Sequence, residues 1–489
     1  MLKTESSSPT RIPPYVAMVA VAFVVRLAVI PFVYTDWTDP FVLDHWAFGL
    51  VARSIATGHG YGNVFANTGS TAVLPPVYSY LLAGIFKFFG IETKASVLAA
   101  LSLNSLFSAL TCIPIFLLAR QAFGERVAKW AGWGWAFSPY GVYYGADWAW
   151  STCLLALELA WLFFFAWRLE KSSRIRDWLL FGLFGGFAAL TEPVVLSVVP
   201  LLGLWTVYRR YRQNESWKMP MAAAAFGAIV IMSPWFVRNY RVFHKFIPVR
   251  SGYGLELYIG NNGYSTRWVN SSLHPNHSEA ELAEYERVGE IAYMDHKMHQ
   301  AKAFIRSHPA WFAWMTFRRI VYMWTGYWSF SRDYLKDEPL DPPNIVVNTM
   351  MTVLGLWGLH RVFKRDSNLA MRFAIVLFFF PLAYYFSHCE TYYFRPVDPL
   401  IVLLAAVAVA GRSKRPEEPA RLRPISFETA GTRQANSSEN PNRASEQPHS
   451  PCSQADRVLR LPSVSAAGTW LSRFRDLQYR LHRQQYLCG

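Results

Sequence analysis

The chain is a succession of long apolar runs separated by short polar stretches, the pattern of a membrane protein that crosses the bilayer many times. Tyr15 to Tyr34 is the first run long enough to span. Arg26 lies deep within it and should face the bundle interior or a polar cavity. Further spans are expected near Ser96–Leu118, Val127–Tyr144, Thr152–Trp167, Trp178–Leu190, Val194–Tyr208 and Met221–Trp235. Three more follow near Ile345–Leu359, Ala370–Phe386 and Leu400–Ala410, making about ten in an all-α, polytopic helical bundle. Two apolar segments read differently. WAFGLVARSI, opened by Asp44, is too short and polar to span and should lie in the interface. The segment beginning Leu74-Pro75-Pro76-Val77-Tyr78 has proline in a helix's first turn. Counting it as a span would put every later basic loop on the wrong side, so it reads as a second interfacial helix.

Charge fixes the expected orientation. The loops holding Arg120, Arg126 and Lys129, then Arg168, Lys171, Arg174 and Arg176, then Arg209, Arg210, Arg212 and Lys218, share one side under this alternation. Arg361, Lys364 and Arg365, and later Arg412, Lys414 and Arg415, join them. That side should be cytoplasmic. Met1–Pro14 and the stretch 412–489 are then cytoplasmic as well. The latter is rich in Ser, Asn, Pro and Arg and should be a disordered basic tail. Trp470–Leu487 within it could form a basic amphipathic helix on the inner membrane surface. The membrane domain occupies 15–411, with outer loops at 35–95 and 233–343. The expected location is a bacterial-type plasma membrane, with both termini inside.

Composition agrees with this reading. Of 489 residues, 52% are hydrophobic and only 17% charged, and 20 Trp with 35 Phe exceed what an average soluble enzyme carries. The net charge of +15 therefore sets topology and need not imply nucleic acid. The five cysteines show neither metal-ligand spacing nor a disulfide framework. No cleavable leader is evident, so the first span reads as a retained anchor.

Candidate chemistry collects on the outer side. Asp36, Asp39 and Asp44 follow the first span, and a carboxylate at a membrane surface invites a function. It can also be an ordinary acidic helix N-terminus. Arg238, Arg241, Lys245 and Arg250 break the charge rule by lying outside, after Pro234-Trp235. They could anchor lipid headgroups or form an anion site for phosphate or pyrophosphate. The same loop carries Gly260-Asn261-Asn262, a charged helical stretch, and an aromatic segment, Trp311–Trp328, with Arg318 and Arg319, that resembles a third interfacial helix. The last outer loop, HCETYYFRPVDP, returns Arg395 to the outer face. It could be a snorkelling arginine within an aromatic belt.

Taken together, DHWAFGLVARSIATGHGY, the Leu74–Tyr78 helix start, PWFVRNYRVFHKFIPVRSGYGLELYIGNN and YYFSHCETYYFRPVDP resemble the GT-C superfamily of membrane glycosyltransferases. The likeness is closest to bacterial relatives of the protein-mannosyltransferase and lipid A aminoarabinose-transferase families, and covers roughly Tyr15 to Gly411. It implies transfer of a sugar from a polyprenyl-phosphate donor to a lipid, glycan or protein acceptor at the outer face. The family's first-loop acid maps onto Asp44, as proton acceptor or acceptor-orienting group. Arg238, Arg241, Lys245 and Arg395 are the candidates to stabilise the lipid phosphate that leaves.

This sequence departs from the family pattern in places. His45 stands where a second acid is usual, and is kept as a substrate-binding candidate. Phe48 takes the family tyrosine's place. Ser151 occupies the slot of a second carboxylate. Asp147 could substitute if the span is already helical there, since both would share a face. Glu192, in Thr191-Glu192-Pro193, is the reserve. Glu158 sits mid-span and should pair within the bundle. A divalent metal ion is left open as a cofactor, with no ligand set legible. The alternative function is a transporter or flippase of a lipid-linked saccharide, although no internal repeat is found. A membrane scaffold with a vestigial site is a third reading.

Overall fold

The computed structural model describes residues 13–33, 47–65, 67–147, 149–263, 265, 273–328, 330, 332, 335, 341–390 and 392–410. Asp36, Asp39, Asp44, His45 and the tail lie outside the described residues. Those described form helices joined by loops, with a single isolated antiparallel bridge between Gly62 and Ser70. The chain is a helical membrane bundle with two shorter apolar helices, Ala47–Ala56 and Pro76–Phe89, beside it.

Among the described residues, 6 helices are long and apolar enough to cross a membrane: Pro14–Phe32, Lys94–Phe123, Thr152–Leu169, Lys218–Phe243, Pro342–Arg365 and Ser367–Phe386. The other expected spans are shorter or interrupted. Val127–Tyr144 is two helices, Glu125–Ala136 and Pro139–Ala146, divided at Phe137-Ser138. Ser138 caps the second, accepting from the Gly141 amide. Such a break inside a bundle exposes backbone carbonyls that lipid cannot satisfy. Arg26 meets them. Fully buried, it donates to the carbonyls of Ala136 at 2.9 Å, Gly141 at 3.0 Å and Trp135 at 3.2 Å, and to Ser108 Oγ at 2.9 Å. The inward orientation expected of Arg26 is found.

The Lys218–Phe243 helix is longer than expected, continuing past Pro234, so Arg238 and Arg241 sit on a helix and not in a loop. Proline removes the amide that would bond the Val230 carbonyl. Ser233 Oγ takes its place, donating to that carbonyl at 2.9 Å, and the helix persists. This helix packs on Ile175–Thr191 through small residues. A Cβ on Gly182 would come within 1.9 Å of the Ala224 carbonyl, and one on Gly227 within 2.6 Å of the Leu179 carbonyl. Small residues allow this backbone approach, which substitutes for the hydrophobic effect that lipid cannot supply between helices.

Polar contacts define the two ends of the bundle. At one, which we term the basic face, Glu170 accepts from Arg372 and Asn368 at 2.7 Å each and pairs with Arg209 at 3.3 Å, gathering three of the basic loops. At the other, the loop face, the 57–75 connection meets the segment after Phe243. The Ser251 amide donates to the Ala72 carbonyl at 2.8 Å. Glu290 is buried there and accepts from Thr71 Oγ1 and Ser251 Oγ at 2.6 Å, the Ala72 amide at 2.9 Å and the Tyr285 hydroxyl at 2.9 Å. Every lone pair so used makes this buried acid a tie between the two loops.

Candidate active site

The loop face contains a half-buried cluster of ionisable side chains drawn from three separate stretches of the sequence. Glu192 ends the Ile175–Thr191 helix, where an extended backbone and Pro193 stop it. Arg250 enters from the loop after Phe243. Glu256 stands in the Tyr253–Gly260 helix, and His388 follows the Leu382–Phe386 helix. Arg250 lies between the acids, 2.6 Å from Glu256 and 3.6 Å from Glu192. His388 Nδ1 is 3.2 Å from the Glu256 carbonyl, and its Nε2 is 3.0 Å from the Tyr393 hydroxyl. A neutral histidine donating through Nδ1 and accepting at Nε2 satisfies both contacts.

A close backbone contact holds the histidine's loop. Gly260 approaches Ser387 so tightly that a Cβ would lie 1.8 Å from its carbonyl. Asn261 Nδ2 donates to the Phe386 carbonyl at 2.8 Å, and buried Arg319 donates to the carbonyls of Gly260 and Tyr385. The Gly260-Asn261-Asn262 motif and Arg319 therefore shape the loop that carries His388. A wall of rings adjoins it. Tyr384 stacks on Tyr393 at 4.4 Å, and Trp150 packs edge-on to Tyr392 at 5.6 Å and to Phe48 at 4.6 Å. Phe48 lies in the first turn of Ala47–Ala56, the helix that begins just after Asp44 and His45. The described end of that stretch thus reaches the ring wall beside the cluster through Trp150.

Electrostatics separate the two acids. Burial pushes Glu192 up to about 7, against the pull of Arg250. Burial also acts on Glu256, but Arg250, then His388 and His274, outweigh it and hold its carboxyl below the usual range. Burial lowers His388, and lowers His274 to about 4, despite Glu256. The cluster accordingly presents an ionised acid, an arginine and a carboxyl near its titration point. Arg250 Nε is buried and without a hydrogen-bond partner, so one donor remains available. That combination suits an anionic group next to a proton acceptor.

The sequence-selected residues scatter around this cluster. Ser151, the slot expected to hold a second acid, faces Glu192 with Oγ 3.5 Å from Oε2. Glu192, the reserve, therefore stands where the missing acid was sought. Asp147 ends the Pro139–Ala146 helix, and the next helix begins only at Thr152. Asp147 and Ser151 thus share no helical face, and the condition for simple substitution is not met. Burial still raises Asp147 to about 6, against a hydrogen bond with Tyr143.

Arg238 donates to the carbonyls of Tyr61 at 2.7 Å and Thr71 at 2.6 Å and lies over the Trp235 ring at 4.9 Å. It clamps the first loop to the long helix. Arg241 is exposed, and Lys245 pairs at the surface with Asp295 at 2.6 Å. Arg395 is buried, 3.1 Å from both Asp398 and Asn348 and 4.2 Å from the Tyr140 ring. Glu158 is buried and accepts from Thr191 Oγ1 at 2.9 Å, a bundle contact of the kind expected. Asp44 and His45 lie outside the described residues.

The sequence alone made Arg238, but not Arg250, a candidate for the leaving phosphate, although both belong to one charge-rule violation. It also missed Glu256 and His388 as partners. A histidine opening the final loop motif was the available signal. No group of three or more His, Cys, Asp or Glu side chains that could hold a metal ion occurs among the described residues.

Residues 73–237 match the family model for dolichyl-phosphate-mannose-protein mannosyltransferase. The match bears out, over that segment, the resemblance to membrane sugar transferases, and it includes Asp147, Ser151 and Glu192. No curated protein matches the sequence. Among solved structures, ArnT from Cupriavidus metallidurans bound to undecaprenyl phosphate is 17% identical, with 80% of this chain and 59% of that chain covered and a TM-score of 0.46. The Archaeoglobus fulgidus oligosaccharyltransferase tethered to an acceptor peptide is 14% identical, covering 80% and 49%, with a TM-score of 0.49. AglB of the same organism, in complex with an inhibitory peptide and a dolichol-phosphate, is 16% identical, covering 80% and 50%, with a TM-score of 0.48. The chain thus spans about half to three fifths of the length of these proteins.

Proposed function

We propose that the protein transfers a sugar from a polyprenyl-phosphate donor to an acceptor at the outer face of the membrane. The observation that carries this reading is the Glu192–Arg250–Glu256–His388 cluster on the loop face. The family match over residues 73–237 supports the same chemistry. In this reading the loop face is outer and the basic face cytoplasmic. Asp44 takes the proton of the acceptor hydroxyl as that oxygen attacks the anomeric carbon. The bond from that carbon to the donor phosphate breaks, and the phosphate leaves with the electron pair. Arg250, with its unpartnered Nε, stabilises the charge gained there. Glu192 or Asp147 holds the second carboxylate role, orienting the acceptor or sharing its proton. Arg241, Lys245 and Arg395 lie outside the contacts of this cluster, and Arg238 acts by holding the first loop in place.

Purified protein incubated with radiolabelled polyprenyl-phosphate sugars and a membrane extract of acceptors should yield labelled product. The transporter reading predicts something different: movement of intact lipid-linked saccharide across vesicles, with no new glycosidic bond. Translocation without transfer, across the donor series, would replace the present proposal with that one.

A further inference from the structure

A second region of organised charge lies at the opposite end of the bundle. A cavity of about 340 Å³ opens on the basic face between the loop after Glu170 and the start of the Lys218–Phe243 helix. Ser173, Ile175, Ser216, Met219 and Pro220 line it around Arg210 and Glu215. Arg210 is buried and fully engaged. It donates to the carbonyls of Ser172 at 2.9 Å and Ser216 at 2.9 and 3.0 Å, and pairs with Glu215 at 2.8 Å. It therefore fixes both walls of the cavity without filling it.

The charge around the opening is one-sided. Arg174 lies between lining residues Ser173 and Ile175, and Lys218 lies directly before Met219. Both are exposed, as are Lys171, Arg176 and Arg212, and none of the five has an ion-pair partner among the described residues. Of the neighbouring acids, Glu170 pairs with Arg209 and Arg372 and Glu215 with Arg210, which leaves Asp177, bonded to the Ser172 hydroxyl, as a single negative charge among these cations. Beside these cations, Ile175 is 50% and Met219 64% exposed, at the first turns of two apolar helices. A positive rim around a cavity where Ser173 and Ser216 stand beside Ile175, Met219 and Pro220, at the start of membrane helices, matches the passage from phosphate through glycerol to acyl chain in a lipid.

We propose that this cavity binds the headgroup of an anionic phospholipid, with Arg174, Arg176 and Lys218 facing its phosphate and Ile175 and Met219 against its acyl chains. The inference is independent of the sugar-transfer reading. The test uses the full-length protein in detergent. Native mass spectrometry should show one phosphatidylglycerol or cardiolipin retained in preference to phosphatidylcholine. The anionic lipid, and not phosphatidylcholine, should raise the thermal midpoint. Arg174→Gln/Arg176→Gln and, separately, Met219→Glu should each reduce that retention about tenfold while the lipid-free protein melts as before. Glycerol phosphate at millimolar concentration should fail to compete. Equal retention of anionic and zwitterionic lipid, or undiminished retention by both variants, would overturn the proposal. Competition by glycerol phosphate would replace the lipid with a soluble phosphate ligand.

Discussion

Arg250 offers the sharpest separation between structure and catalysis. It bridges two half-buried acids, 2.6 Å from Glu256 and 3.6 Å from Glu192, with side chains 26% and 13% exposed and its own 22% exposed. Arg250→Met leaves both carboxylates without their cation, and breaking a buried pair in this way costs about 3–5 kcal/mol. A loss of activity in that variant alone would therefore say little. Arg250→Lys keeps the charge but not the fork, and a single ammonium cannot replace both contacts. Losing one charge-assisted bond, about 1.5–3 kcal/mol, should slow transfer roughly 10–100-fold. The decisive variant is Arg250→Met/Glu256→Gln. Removing the Glu256 charge as well leaves only Glu192, whose carboxyl, raised to about 7 by burial, can take up a proton, so the thermal midpoint in detergent should recover most of what Arg250→Met loses. Transfer should not recover, because the donor phosphate still lacks its cation. The assay pairs radiolabelled transfer with thermal unfolding of the same preparation. If activity returns together with stability in the double variant, Arg250 is a structural ion only and the phosphate role is wrong.

Asp44→Asn should reduce transfer by roughly 10²–10⁴-fold with normal expression, whereas Asp36→Asn and Asp39→Asn should be mild; near-normal transfer by Asp44→Asn would end the general-base assignment. Asp147, raised to about 6 by burial, should lose its proton as pH rises from 5 to 7. If it carries the second role, the acidic limb of the rate profile falls near 6 and vanishes in Asp147→Asn. Stability runs the other way: burial holds the folded carboxyl above its ordinary value of 3.8, so its contribution is full at low pH and is lost as pH rises through about 6. Arg26→Leu leaves the carbonyls at the Phe137-Ser138 break unsatisfied, at about 1–3 kcal/mol each, and should lower the thermal midpoint sharply. A cysteine at Gly263 should react with an impermeant reagent from outside intact cells, while one at Arg174 should not.

Much of the architecture is legible in the sequence because it follows from one-dimensional quantities. Run length and apolarity fix which segments can cross a bilayer, and basic loops separate its two faces. Arg26 was readable as an inward residue because an arginine in lipid has nowhere else to go. Glu158 was readable as a bundle contact for the same reason. The break at Phe137-Ser138 was not, since it persists only because Arg26, distant in sequence, satisfies the exposed carbonyls. Nor was the continuation through Pro234, which a local rule would end and Ser233 repairs. The same holds for the candidate site. Spacing could nominate Arg238 and Arg250 as members of one outer cluster, but not divide their roles. Tertiary packing turns Arg238 onto the backbone carbonyls of the first loop and Arg250 between Glu192 and Glu256. It also brings Glu192, from the end of another helix, against Ser151. Sequence determined which segments are apolar enough to enter a membrane, because solvation acts on each segment alone. Only the fold decided which charges meet, because burial and partner choice depend on segments that the chain order keeps apart.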